Sequence, residues 1–111
     1  MKIIYEEKRH ENIVKTIEEI TGVHRKKFLF KGDRTADSIL IRGIYMYMCR
    51  TKLKWTLQKI AQSMKYTDHS TIINGVNKVN NWKDIPHMYS RELELLEVIE
   101  ETYGQKYESL V

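Results

Sequence analysis

Cysteine and long apolar runs are scarce in this sequence, and each scarcity excludes a class of protein. The lone cysteine, Cys49, rules out an intramolecular disulfide and is typical of a chain that stays in a reducing compartment. No apolar run approaches the roughly 20 residues that a membrane-spanning helix needs. Charges crowd the N-terminus, where a signal peptide would be apolar. We therefore expect a cytoplasmic protein that makes no contact with a membrane.

Turn-forming residues are also few, with one proline and five glycines in 111 residues. Strand-and-turn patterning is hard to find, so the sequence predicts an all-α fold, a small helical bundle. The length suits one ordinary domain, and no repeat, low-complexity tract or linker divides it. We predict a single domain over 1–111, made of a leading helix in 1–23, a basic core in 24–83 and an acidic C-terminal helix in 84–111.

The net charge of +4 hides an uneven distribution of charged residues. Residues 24–83 hold thirteen Lys or Arg and three Asp or Glu, a net charge of +10, whereas 1–23 carry −1 and 84–111 carry −5. A basic middle of this kind is expected of a surface that binds phosphate groups. A basic surface that is merely solvated is the alternative explanation, and charge alone does not separate the two.

Apolar side chains recur at helical spacing along most of the chain, and the first stripe ends at Gly22, a natural helix stop. The predicted helices span 6–21, 35–52, 56–65, 68–82 and 88–103. A basic loop fills 23–34 and carries an apolar plug, Phe-Leu-Phe at 28–30. In the helix over 68–82, the spacing predicts that Ile72 and Ile73 both point inward.

Two of these helices are joined closely enough to form a helix-turn-helix. The short helix over 56–65, which Thr56 can cap, is followed by a turn at 65–67 and then by a helix that begins near Asp68. Asp68 suits an N-cap because its carboxylate can accept free backbone N–H groups. The His-Ser-Thr run at 69–71 then occupies the first turn, where a recognition helix reaches base edges and phosphates. The alternative is that these residues only cap a helix.

A longer motif surrounds this turn. The chain reads DHSTI at 68–72, Ile60 lies eight residues before the aspartate, and Arg42 opens an apolar helix that continues GIYMYM. In these features the segment from Glu11 to about Asp84 resembles the C-terminal DNA-binding domain of the bacterial chromosomal replication initiator DnaA. The family pattern can be laid on 34–73 without a gap, and the resemblance covers about two-thirds of the chain.

The resemblance implies a helix-turn-helix bundle, like that of the Trp repressor, that binds double-stranded DNA in replication initiation or its regulation, with replication proteins as further partners. The helix-turn-helix would enter the major groove, and a basic loop would reach the adjacent minor groove through Arg34. Arg42 and Arg50 match positions at the start and the end of the long helix, close to the phosphates. The expected DNA-binding residues are Arg34, Arg42, Arg50, Lys54, Lys65, Tyr66, Thr67, Asp68, His69, Ser70 and Thr71.

The chain also departs from the family pattern. The family usually carries a Gly-Gly-Arg-like turn before the aspartate, and here the turn is Lys65-Tyr66-Thr67, so Thr67 stands in the place of an arginine. Ala36 and Leu40 stand where basic residues are common. No G-x-x-x-x-G-K-[ST] phosphate loop occurs, so we expect the DNA-reading part without a nucleotide-binding motor.

Other classes of function are weighed against this one. Asp68, His69 and Ser70 are adjacent on one helical turn and cannot align as a catalytic triad, so we expect no enzymatic activity. The four histidines lack the spacing of metal ligands, and we expect neither metal nor cofactor. The remaining alternatives are a transcriptional regulator, a dimer that pairs through 88–103, and a protein-interaction module with only non-specific DNA affinity. The oligomeric state stays open.

Overall fold

The computed structural model describes residues 2–30 and 33–108, with side chains from Glu7 onward. Residues 1, 31, 32 and 109–111 of the predicted domain lie outside the described residues. The described part contains no strand, which confirms the all-α prediction. Its elements are α1 (Lys2–Thr21), α2 (Arg25–Leu29), α3 (Ala36–Lys52), α4 (Leu57–Ser63), α5 (Ser70–Asp84), α6 (Ser90–Tyr103) and a π-helical turn (Gly104–Glu108).

The long helix α3 is the centre of the bundle, because all five other α-helices pack against it. Its residues from Ile41 to Cys49 are buried without a break. Around it, α1 contributes Ile17, α5 contributes Trp82 and α6 contributes Leu96, each almost fully buried. Removing this apolar surface from water is the main stabilising contribution to the fold. None of the described helices is long and apolar enough to cross a membrane.

Helices α3 and α5 cross closely at two glycines. A Cβ at Gly43 would lie 3.8 Å from the carbonyl oxygen of Gly75, and a Cβ at Gly75 would overlap the sulfur of Met46. Glycine permits a close approach between backbones because it carries no side chain. The direction of α5 is therefore set by its contact with the central helix, which positions the helix that follows the predicted turn.

The structure corrects two predictions about this part of the chain. The predicted basic loop contains a short helix, α2, whose first turn is capped by Nδ1 of His24 accepting from the backbone N–H of Lys26 at 3.1 Å. Phe28 of the apolar plug is buried, but Phe30 is exposed. Ile73 was predicted to point inward, yet 41% of its surface is accessible. Ile72 is buried in the bundle, and the next residue of a helix points about 100° away.

Candidate nucleic-acid interface

Helix α4 begins and ends with defined hydrogen bonds. As predicted, the hydroxyl of Thr56 caps it by accepting from the backbone N–H of Lys59 at 3.1 Å. At its end, the N–H of Tyr66 donates to the carbonyl of Ala61 at 2.9 Å, and the N–H of Lys65 donates to that of Gln62 at 3.1 Å. This pair of bonds is a Schellman motif, which needs a left-handed residue.

Lys65 is that left-handed residue, with a φ of +59°. Glycine is favoured at such a position because a Cβ strains it. The Gly-rich turn of the resembling family therefore has a physical reason at this point, and this chain places a lysine there instead. The ammonium group of Lys65 lies 5.4 Å from the centre of the Phe30 ring, so the turn contacts the segment between α2 and α3.

The first turn of α5 is capped by Asp68. Its Oδ1 accepts from the backbone N–H of Ser70 at 2.9 Å, and these hydrogen bonds lower the pKa of the Asp68 carboxyl. The helix begins at Ser70, two residues later than predicted, and the side chain of His69 makes no capping bond. Asp68 thus performs the predicted capping role from just before the helix.

Residues 67–71, which we call the recognition surface, are all exposed. Apart from local interactions among Asp68, His69 and Ser70, no hydrogen bond or ion pair within the described residues engages these side chains. An exposed helix N-terminus with unengaged hydroxyl and imidazole groups is suited to contact phosphates and base edges. The caps on both sides hold this surface in place before any partner arrives.

Arg42 has a different position from the predicted one. It is only 8% exposed, and its Nε and Nη2 atoms donate to backbone carbonyls of the segment between α2 and α3. The acceptors are the carbonyls of Lys27 at 3.0 Å, Phe28 at 3.2 Å, Phe30 at 2.9 Å and Asp33 at 2.8 Å. These contacts hold the Arg42 side chain against the protein, and its direct contact with DNA stays a prediction.

Arg34 lies in the extended segment that Arg42 holds. It is exposed and makes no hydrogen bond or ion pair in the part of the chain that the structure describes. On either side, Oδ1 of Asp33 accepts from the N–H of Thr35 at 2.9 Å, and the hydroxyl of Thr35 caps α3 through the N–H of Ser38 at 3.3 Å. The backbone at Arg34 is therefore ordered while its charge remains available.

The other predicted basic residues lie near the start of α4, Arg50 in the last turn of α3 and Lys54 in the link between the two helices. Arg50 is exposed, and its Nη1 donates to the carbonyl of Trp55 at 2.8 Å. Lys54 is exposed and left-handed with a φ of +59°. Both residues therefore hold a positive charge close to the start of the helix-turn-helix.

The sequence analysis did not single out Asn74 and Lys78. These two residues line a cleft of about 220 Å³ between α3 and α5, together with Tyr66 and Thr71 of the predicted set. Asn74 and Lys78 follow Thr71 by three and seven residues. Because residues at this spacing share one face of a helix, the sequence alone could have placed them beside Thr71. The structure thus extends the predicted set along α5.

A second group of charges is paired within the protein. Arg25 donates two bonds of 2.7 Å to the carboxylate of Glu11 and contacts Glu18 at 2.8 Å, while Lys106 pairs with Glu19 at 2.6 Å. We call these five residues the supporting face. Arg25 was part of the predicted basic loop, but its charge is already neutralised by α1. Among the described residues, no group of three or more His, Cys, Asp or Glu could hold a metal ion.

A short helix, a tight turn and a second helix with a capped, exposed N-terminus form a helix-turn-helix, the arrangement of one class of DNA-binding proteins. The family model described as the bacterial DnaA protein helix-turn-helix matches residues 10–79, more than half of the chain, and the chain belongs to this family. The family match supports DNA binding and points to a non-enzymatic role.

Curated relatives agree with the family match. Two of them, from Streptococcus agalactiae serotypes Ia and V, are named chromosomal replication initiator protein DnaA and are each 38% identical over 48 residues. The aligned segment is 43% of this chain and only 11% of each relative. No solved structure matches the chain.

Proposed function

We propose that the chain binds specific sequences of double-stranded DNA, with the first turn of α5 in the major groove. The observation that carries this proposal is the recognition surface, five exposed residues that hydrogen-bonded caps hold at the N-terminus of a helix. Asp68 can accept from the amino group of cytosine, and Thr71 can offer its methyl group to thymine. A surface that is ordered before binding loses little conformational entropy when DNA arrives.

The phosphate contacts in this proposal come from the exposed cations around the recognition surface. Arg50, Lys54 and Lys65 would bind the backbone beside the major groove, and Tyr66 and Thr67 would contact it from the turn. Arg34 would enter the adjacent minor groove, where the negative potential favours arginine. Arg42 would act on Arg34 only through the segment that it holds.

The biological role follows from the family. We infer that the chain acts in replication initiation or its regulation, in the cytoplasm, together with replication proteins and without catalysing a reaction itself. The activity of the whole relatives is not carried over, because the aligned segment covers 11% of their length. A transcriptional regulator would use the same surface, but its DNA-binding sites would lie at promoters instead of at a replication origin.

Fluorescence anisotropy tests the proposal. A labelled duplex that carries the DNA site of the bacterial replication initiator, which we call the initiator box, and a scrambled duplex of the same length would be titrated with the chain at two salt concentrations. We expect at least a tenfold preference for the box, about 1.4 kcal/mol, and we expect it to persist at the higher salt concentration. Equal, salt-sensitive binding to both duplexes would contradict readout of the box, and no binding at low salt would contradict DNA binding altogether.

A protein partner is the second candidate function, and the outer side of α6 favours it. Glu94, Glu97 and Glu101 are exposed there together with the apolar Val98. This surface could dock a basic partner, with DNA affinity weak and independent of sequence. The same titration separates the two candidates, because this one predicts equal affinity for both duplexes.

A further inference from the structure

We propose that Ile73 and Asn74 form an additional subsite on α5 that reads A·T base pairs, with the Asn74 amide on adenine and Ile73 on the thymine methyl group. The proposal deepens the proposed function and rests on it. The resemblance to the family did not assign either residue, and the spacing of apolar residues assigned Ile73 to the core.

A row of polar side chains follows the outer side of α5. Its members repeat at intervals of four, three and four residues, are all exposed and are Ser70, Asn74, Asn77 and Asn81. The opposite side of the helix is buried against the bundle through Ile72, Val79 and Trp82. The row therefore lies on the exposed side of α5 and continues the recognition surface along the helix axis, with Asn74 at the edge of the cleft between α3 and α5.

Ser70 of this row belongs to the recognition surface, and Asn74 is the next member along the helix. It follows Thr71 by three residues, roughly 4.5 Å along a helix axis, and both residues line the cleft between α3 and α5. This advance is close to the spacing of successive base pairs, about 3.4 Å. The N–H group of a carboxamide can donate to N7 of adenine while its oxygen accepts from the N6 amino group, so the amide pairs in bidentate fashion with adenine.

Ile73 supplies a second, independent observation. It is a large apolar side chain with 41% of its surface accessible, and it follows Thr71 by two residues on the helix that the proposed function places in the major groove. The thymine methyl group is the apolar feature of that groove. Adjacent residues of a helix point about 100° apart. Ile73 and Asn74 therefore flank the line along α5 that is opposite its buried face. Their chemistries match the two features that distinguish an A·T pair from a G·C pair.

The experiment begins with selection of binding sites from a pool of random duplexes by the wild-type chain and by Asn74→Ala, with Asn80→Ala as the control. Asn80 is an exposed asparagine of the same helix that lies off the row. We expect the wild type and Asn80→Ala to select one consensus. The Asn74→Ala variant should lose preference at one A·T position, where its discrimination against G·C falls about tenfold.

Replacement of thymine by uracil, which lacks the methyl group, tests Ile73 at the same site. The wild type should lose about fourfold in affinity at one thymine, and Ile73→Ala should be insensitive to the replacement. A wild-type consensus that Asn74→Ala retains at every position, with no effect of uracil, overturns this inference and leaves the proposed function standing. A wild-type selection that yields no consensus overturns both.

Discussion

On the supporting face, each charged group has a partner of opposite sign, and Arg25 alone contacts two carboxylates. On the recognition surface, the imidazole of His69 and the hydroxyl of Thr71 have no hydrogen-bond partner among the described residues. Polar groups that are satisfied inside the protein serve the fold, whereas ordered groups without partners remain available to a ligand. Counting charges along the sequence does not separate these two kinds, because Arg25 and Arg42 contribute to the +10 of residues 24–83 and are both engaged internally.

The largest expected effect comes from the core beneath the supporting face. Ile17→Ala empties part of a fully buried site in α1 and should lower the free energy of unfolding by about 2–5 kcal/mol. Urea denaturation measures this loss, with Lys15→Ala, an exposed residue of the same helix, as the control. At a temperature where the variant stays folded, its DNA affinity should equal that of the wild type. A loss of DNA affinity in the folded Ile17→Ala variant would contradict the separation between the supporting face and the recognition surface.

The next effect connects the two regions through Arg42. Arg42→Met removes the bonds to four carbonyls and should cost about 1–3 kcal/mol of stability, because those acceptors lose a charged donor. It should also release the segment that carries Arg34 and flatten the salt dependence of DNA binding by about one unit.

A double-mutant cycle with Arg34→Ala checks this route. If Arg42 acts only through Arg34, the double variant should show the salt slope of Arg34→Ala alone, with no further loss. Additive losses in the double variant would mean that Arg42 contacts a phosphate itself.

A smaller effect is expected at Lys65, where one substitution should raise the stability of the fold and weaken the binding of DNA. Lys65→Gly relieves a left-handed backbone and should raise the free energy of unfolding by about 0.5–1 kcal/mol. The same change removes a cation and should reduce the salt slope of DNA binding by about one unit. Lys65→Ala is the matched control, since it loses the charge and keeps the strain. Equal stability of the two variants would contradict the assignment of strain to this turn.

The smallest expected effect is a dependence of the free energy of unfolding on pH, caused by His10, which lies next to Glu11 of the supporting face. Nε2 of His10 and the hydroxyl of Tyr45 are 2.6 Å apart, and burial lowers the pKa of His10, with smaller contributions from Arg25 and Lys59. Glu11 acts in the opposite direction. The unfolded chain therefore binds more protons than the folded one between the lowered pKa and about 6.5, and stability rises with pH across that window.

Urea denaturation at several values between about pH 5 and 8 measures this slope. The His10→Phe variant keeps an aromatic ring against Trp55, on which His10 is stacked at 4.9 Å, and should lose the slope. Arg25 lowers the pKa values of Glu11 and Glu18, so their contribution to the slope fades above about pH 5 and is the same in His10→Phe. A slope that persists in His10→Phe would assign the effect to another group.

Much of the fold could be predicted from the sequence, because apolar periodicity and caps are local properties. The all-α class, the cap at Thr56 and the turn before Asp68 all depend on residues within a few positions of each other. The positions of Arg42 and Ile73 could not be predicted in this way. Arg42 is buried because a segment about 12 residues earlier folds over it, and the exposure of Ile73 depends on how α5 packs against the rest of the bundle.

The most direct test of the account compares four alanine variants on the selected and the scrambled duplex. His69→Ala and Thr71→Ala should lose about 1–3 kcal/mol of discrimination for each disturbed base contact. Arg34→Ala and Arg50→Ala should weaken both duplexes alike and flatten the salt slope by about one unit each. A uniform loss for all four variants, with discrimination unchanged, would contradict the assignment of base reading to the first turn of α5.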